Sequence, residues 1–390
     1  MRRLVLMVTL IILIGVFLFS KTLTVIGPWS GAEMDKFTPV LEKFEKEYGI
    51  DVEYRIYRAE DLANILPAQF AAKKTLGDVI FMWPWFVLNQ AKKGHVIDVS
   101  DVIDESKYLP GVLDNVKMNG KLYGAAYTGK VKPGFWYRKS FFEKHGLSVP
   151  KTWNEFIILL EKIKGIPGIK APIASGDGVG WPLSDVTEHF IITFGGPNIH
   201  RDLIAGNIKW QSFTVRNAFE KLTSLLKKGY FGEPTEWTLV LKQWWNGDYG
   251  LYFMGSWITG MVDDPNDLGV FSLPGNKGIV FGADYAFIPK YTKYPEEAKT
   301  LLKYLCGLEG QTEQVKQGGH VATVKNVPLI AYPPVDREVA KLLEGVEALF
   351  DLDDSIGGAF QTTFWDQLKL LWVRPERIDD VLRTFDEKMK

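Results

Sequence analysis

The sequence predicts an α/β protein of two lobes, on three observations. Residues 23–83 alternate short apolar runs with amphipathic ones in the order strand, helix, strand, helix, strand. That is the pattern of a layered sheet with helical crossovers. At 390 residues the chain exceeds what one core ordinarily serves, so two domains are expected. Two linkers, Lys132-Pro133-Gly134 and Pro274 to Gly278, bracket a middle block, so the chain crosses between lobes more than once.

Each element has its own signal. Residues 23–27 (LTVIG) form an apolar strand, and 35–48 carry apolar residues at helical spacing before Gly49 stops the helix. Residues 50–57 alternate as a strand, 60–73 read as a helix, and 79–83 (VIFMW) are the third strand. Parallel sheets bind ligands beyond the carboxyl ends of their strands. Trp29-Ser30-Gly31 and Trp83-Pro84-Trp85 stand at two such ends. Residues 135–138 (FWYR) look like a strand, and Thr152-Trp153-Asn154-Glu155 opens a helix with a capping box. Helices are expected at 183–194, 214–228 and 236–246, and strands at 249–254, 268–273 and 279–288. Helices at 295–306, 309–317, 336–349 and 358–371 complete the chain. There is no tandem repeat.

Composition narrows the function. With 46% hydrophobic and 24% charged residues and a net charge of −1, the chain is globular and has no long-range attraction for nucleic acid or anionic lipid. Aromatic residues are abundant: 13 Trp, 15 Tyr and 24 Phe, enough that several rings are expected in a cleft as well as in a core. Arg2 and Arg3 precede an apolar run from Leu4 to Phe19, followed by Ser20-Lys21. This reads as a signal peptide over residues 1–20 cleaved near Ser20, with a retained membrane anchor as the alternative. No Cys lies there, so a lipid-anchored start is excluded, and the single Cys306 allows no intrachain disulfide and reads as a small buried hydrophobe. No Gly-x-Ser-x-Gly elbow, His-Glu-x-x-His or Walker loop occurs, and five His with one Cys give no credible metal cluster. No cofactor or metal is expected.

Six stretches stand in order along the chain: VIGPWSGAEMDKFTPVLEKFEKEYGIDVEY, GDVIFMWPWFVLNQAKKGHVIDVSDVI, KLYGAAYTGKVKPGFWYRKSFFEKHGLSVPKTWNEF, NGDYGLYFMGSW, LGVFSLPGNKG and YPEEAKTLLKYLCGLEGQTEQVKQGGHVAT. Together they resemble the extracellular solute-binding proteins of ABC sugar importers, the family that includes maltose-binding protein. The similarity covers nearly all of residues 21–390. Arg138 stands where the family often has Asn, and His320 where a small apolar residue is more usual. The resemblance implies a type II periplasmic-binding-protein fold, with two lobes that are each a mainly parallel sheet flanked by helices, joined by a multi-strand hinge. One lobe would hold 21–134 and 268–322, the other 135–267 and 323–390. A sugar or polyol would bind between the lobes of a periplasmic or extracellular monomer, which would deliver it to a membrane permease.

Sugars present apolar C–H faces and a ring of hydroxyls, so their sites mix aromatic rings with carboxylates, amides and cations. Trp29 is expected to meet a sugar face, with Ser30 and Gly31 allowing close backbone approach. Ser30 and Glu33 also match a capping box. Trp83 and Trp85 form a second cluster, and Tyr127 and Lys130 precede the first crossing. Asp177 and Trp181 flank a Gly-rich turn, and Trp257 matches the family's Gly-x-Trp. Asp284 is costly in a sheet without a partner, and Trp365 would close one end of the cleft. Trp244, Trp245 and Trp372 read as packing. Two alternatives remain: a binder of a peptide, anion or iron, and an exported carbohydrate enzyme using Glu33 and Asp284.

Overall fold

The computed structural model describes residues 21–109, 111–178, 180–342 and 346–389. The expected signal peptide lies outside the described residues. Two sheets organise the rest. A seven-stranded sheet runs Val321–Ala322, Ala125–Lys132, Gly278–Phe287, Val79–Phe81, Thr22–Gly27, Asp51–Ile56, with Glu347–Leu349 added against Gly278–Phe287. A four-stranded sheet runs Leu268–Phe271, Gly134–Arg138, Tyr249–Met254, Ala171–Ala174. Helices flank both, which makes this the expected two-lobed α/β fold.

The sheets are mixed, not mainly parallel. Thr22–Gly27 runs parallel to both its neighbours, but Gly278–Phe287 is antiparallel to Val79–Phe81 and to Ala125–Lys132. In the smaller sheet Gly134–Arg138 is antiparallel on both sides. The cause is the hinge. Ala125–Lys132 continues straight into Gly134–Arg138, and the return path Leu268–Phe271 to Gly278–Phe287 lies beside it in the opposite direction. Gly134 makes that crossing possible: its φ is 139°, and a Cβ there would stand 2.2 Å from the Phe271 carbonyl oxygen.

Local sequence explains most elements. In Ala32–Tyr48 the buried positions Phe37, Val40, Leu41 and Phe44 fall on one stripe, and Gly49 ends the helix in the left-handed conformation. Thr152 caps Trp153–Lys164, its hydroxyl accepting from Glu155 N at 3.2 Å, while Glu155 Oε2 reaches back to Lys151 N at 2.7 Å. Three expectations need correction. The helix expected over 336–349 ends at Leu342, and Glu347–Leu349 is a strand pairing with Gly278–Val280, because the edge of the larger sheet there offers it a partner. Leu268–Phe271, expected with the first lobe, pairs in the four-stranded sheet. Residues 323–325, expected with the second, bond to 107–109 beside the first sheet. Cys306 is fully buried and free. No helix among the described residues is long and apolar enough to cross a membrane.

Candidate functional site

Along Ala125–Lys132 alternate residues share a face, which puts Thr128, Lys130 and Lys132 together. Lys130 is the centre of a cluster drawn from four segments. Its Nζ lies 3.4 Å from Asp284 Oδ2 and 3.8 Å from Glu33 Oε1. It also stands 5.6 Å from the ring centre of Trp29 and 5.5 Å from that of Trp257, within cation–π range of both. Asp284 reaches Lys130 from a strand whose register slips between Ala283 and Tyr285, a bulge of the kind that re-aims side chains. Glu33 is free to join because the Ser30–Glu33 capping box does not form. The helix is instead capped by Gly31 without any side-chain bond, and Ser30 is exposed. Burial pushes the Glu33 carboxyl above its ordinary range, with Lys130 opposing that shift and Asp284 adding to it. Burial also works against the Lys130 charge, but Asp284 and Glu33 outweigh it and hold the ammonium more firmly protonated.

Trp29 is fixed from below. Its backbone N–H donates to Tyr54 Oη at 2.9 Å, the Tyr54 hydroxyl donates to its carbonyl at 3.1 Å, and Phe37 and Phe81 pack on the ring at 4.7 and 4.6 Å. Trp29 Nε1 is buried with no hydrogen-bond partner among the described residues. Tyr127, expected as a contact, has no exposed area, and its hydroxyl donates to Gln314 Oε1 at 2.9 Å. It supports Trp29 from beneath and does not line the surface.

The second lobe supplies a wall of indoles. Trp257 lies in the short turn Ser256–Gly260 that follows Tyr249–Met254. Gly255 is required there, since a Cβ would stand 1.8 Å from the Trp257 ring. Trp181, the first residue of Trp181–Gly195, sits 5.6 Å from Trp257 and 5.6 Å from Trp237. Sequence reasoning missed Trp237. The signal was available: like Trp181 it opens a helix, after Glu236, whose carboxylate caps Thr238 N and Leu239 N. Thr235–Glu236 pairs with Gly176–Asp177, so Asp177 stands in the same corner, with Oδ1 buried and unbonded among the described residues.

Three expected residues lie elsewhere. Trp83 and Trp85 stack on each other at 5.7 Å, and Trp83 meets Trp365 at 6.4 Å across the seam between the lobes. Trp85 borders a cavity of about 420 Å³ whose walls include Asn89, Asn115, Asp354 and Ser355. Trp365, at 6% exposed, is no more buried than Trp29 at 4%, but unlike Trp29 its Nε1 is engaged, donating to Asp353, which ties it to the packing of the second lobe.

Lys132, two residues on from Lys130, enters a buried acidic network beside the hinge. It donates to Asp185 and Asp351, and Asp353, Asp354 and Glu188 complete the group. Two trios, Asp185-Glu188-Asp351 and Asp351-Asp353-Asp354, have oxygens within 4.8 Å of one another. These residues have the spacing to hold a cation, and the Lys132 ammonium serves as one. Burial pushes Asp185 up to about 8, partly offset by Lys132, and holds Glu188, Asp353 and Asp354 well above their usual range. Asp351 goes the other way: burial opposes it, yet Lys132 and its hydrogen bonds keep it at about 2.

The arrangement of two crossing strands, two lobes and a polar–aromatic cluster between them agrees with the comparisons. Residues 28–312 match the model of the bacterial extracellular solute-binding proteins. The chain belongs to that family. An uncharacterised ABC-transporter extracellular-binding protein of Pyrococcus horikoshii is 58% identical over 370 residues, 94% of this chain and 88% of the relative. The osmoprotective compounds-binding protein GgtB of Synechocystis is 25% identical over 88% of this chain and 87% of its own length. The solved structure of the bacterial solute receptor AcbH, which has an exclusive preference for β-D-galactopyranose, superposes with a TM-score of 0.85 at 18% identity. It covers 95% of this chain and 98% of that one, and that likeness bears on the fold alone. The protein is therefore the solute-binding component of an ABC transporter.

Proposed function

We propose that this solute-binding protein captures a neutral sugar or polyol between its lobes and presents it to its permease. The observation that supports this reading is the Lys130 cluster: one ammonium and two carboxylates set between the faces of Trp29 and Trp257. Indole faces suit C–H surfaces, the carboxylates accept from hydroxyls, and the ammonium donates to them. Each buried polar group rejects a ligand that lacks its partner. Two carboxylates around one lysine disfavour an anion, which would call for concentrated Arg. Tyr54 and Tyr127, the two tyrosines packed against Trp29 among the described residues, are engaged in hydrogen bonds and so do not offer iron a pair of free hydroxyls. Glu33 and Asp284 share one lysine, so neither is placed as an independent proton carrier, and the reading is of a binder and not an enzyme. In this reading residues 1–20 direct export and are removed, and the mature chain acts as a periplasmic or extracellular monomer. The test is a melting-temperature screen of residues 21–390 against D-galactose, D-glucose, maltose, raffinose, myo-inositol, phosphate and a short peptide. At a hundredfold excess over Kd a ligand adds about 2.7 kcal/mol, a shift of about 3 °C for a chain this long. A shift with a sugar or cyclitol that disappears in Trp257→Ala supports the reading. A shift with phosphate or peptide alone rules it out.

A further inference from the structure

We infer that His320 is a specificity-determining residue of this cleft, presenting a single uncharged N–H to an oxygen of the ligand. The inference rests on the sugar-or-polyol reading. Val321 pairs with Gly129 and Ala322 with Thr128 in antiparallel register, so His320 comes beside Lys130. The alternation of the strands puts His320, Ala322, Thr128 and Lys130 on one face. The ring is anchored there, with Nδ1 2.7 Å from Thr128 Oγ1. Thr128 has no exposed area, and the imidazole is the one hydrogen-bond partner of its hydroxyl among the described residues.

That bond fixes the tautomer. A proton on Nδ1 would leave the Thr128 O–H buried without an acceptor, which is costly. The hydroxyl therefore donates, Nδ1 accepts, and the ring proton sits on Nε2. Nε2 makes no hydrogen bond among the described residues, and His320 keeps 9% of its surface exposed. The backbone beside it is pinned as well. Gly319 O accepts from Ser256 Oγ at 2.9 Å and Gly319 N donates to Asp336 Oδ1 at 3.0 Å, and Ser256 immediately precedes Trp257. The charged groups around the ring are Lys130 on the neighbouring strand, Glu33 and Asp284 beyond it, and Asp336 behind Gly319. Burial first, then Lys130, keeps the imidazole neutral by holding its pKa well below the ordinary value. The result is a fixed, directional donor next to a charged one, suited to telling apart sugars or cyclitols that differ at one hydroxyl.

Titration calorimetry of residues 21–390 with D-galactose, D-glucose, myo-inositol and maltose tests this. For whichever compound binds, His320→Ala is expected to weaken affinity about 10-fold. His320→Gln, which keeps a neutral N–H of similar reach, should recover it to within about threefold. The wild-type to His320→Gln affinity ratio should stay constant from pH 8 to pH 6. A His320→Ala affinity within about twofold of wild type overturns the inference and leaves the sugar reading standing. A glutamine variant as weak as the alanine variant, or a ratio that changes with pH, also overturns it. Binding of phosphate or a short peptide to wild type, with no sugar or cyclitol bound, overturns both.

Discussion

Asp185→Asn should change how stability depends on pH, and the structure sets the size of the change. Asp185 is 2% exposed, and one of its oxygens meets Lys132 while the other has no hydrogen-bond partner among the described residues. Burial raises its pKa to about 8 in the folded protein, against about 3.9 in an unfolded chain. Between those values the folded state holds a proton that the unfolded state has released, so the contribution of Asp185 to stability is full below pH 4 and is lost as pH rises toward 8. So wide a gap between folded and unfolded chain corresponds to on the order of 5 kcal/mol. Asparagine has no proton to lose. Relative to wild type, Asp185→Asn should gain stability progressively from pH 4 to pH 8, by on the order of 5 kcal/mol at the upper end. Guanidinium denaturation at pH 4, 6 and 8, with unchanged m-values, measures it. Below pH 4 the depressed Asp351, at about 2, destabilises both proteins alike as it protonates, so the comparison belongs above that point. Parallel stability curves for the two proteins from pH 4 to pH 8 would refute the reasoning.

Two further substitutions probe the hinge and the cluster. Gly134→Ala places a Cβ 2.2 Å from the Phe271 carbonyl oxygen at a φ of 139° and should cost about 2–4 kcal/mol. Calorimetry would show this as a melting point lower by a few degrees, and an unchanged melting point would contradict the crossing geometry. Lys130→Met removes the cation from between Glu33 and Asp284. It should weaken binding of the recognised sugar or cyclitol at least about 10-fold by titration calorimetry, whereas undiminished affinity would remove Lys130 from the site.

What is legible in the sequence follows from range. Ala32–Tyr48, Tyr249–Met254 and Pro295–Cys306 can be read directly because their patterns depend on residues a few positions apart. Strand direction is not encoded in that pattern, so the mixed sheets read as mainly parallel. Glu347–Leu349 reads as helix because its partner, Gly278–Val280, is distant in sequence. The Ser30–Glu33 box has the right letters, but Gly31, at φ 54°, takes the cap position. In the proposed site, Trp29, Glu33, Lys130, Asp284 and Trp257 come together and Trp181 joins them through Trp257. Tyr127 and Trp365 show the limit: an aromatic residue near a strand end is visible in sequence, but whether it lies on the cleft or under it depends on Gln314 and Asp353, far along the chain. His320 stands out in the sequence only as a departure from the family, since its link to Thr128 spans 192 positions. The Lys132 network is invisible there for the same reason, its five carboxylates coming from two distant segments.

The most direct test of the central claim is a crystal structure of residues 21–390 with the sugar or cyclitol that raises the melting point most. The expected result is a ligand ring against the face of Trp257 or Trp29, with hydroxyls bonded to Glu33, Asp284 and Lys130. A ligand seated instead in the cavity beside Trp85, with the Lys130 cluster untouched, would contradict it.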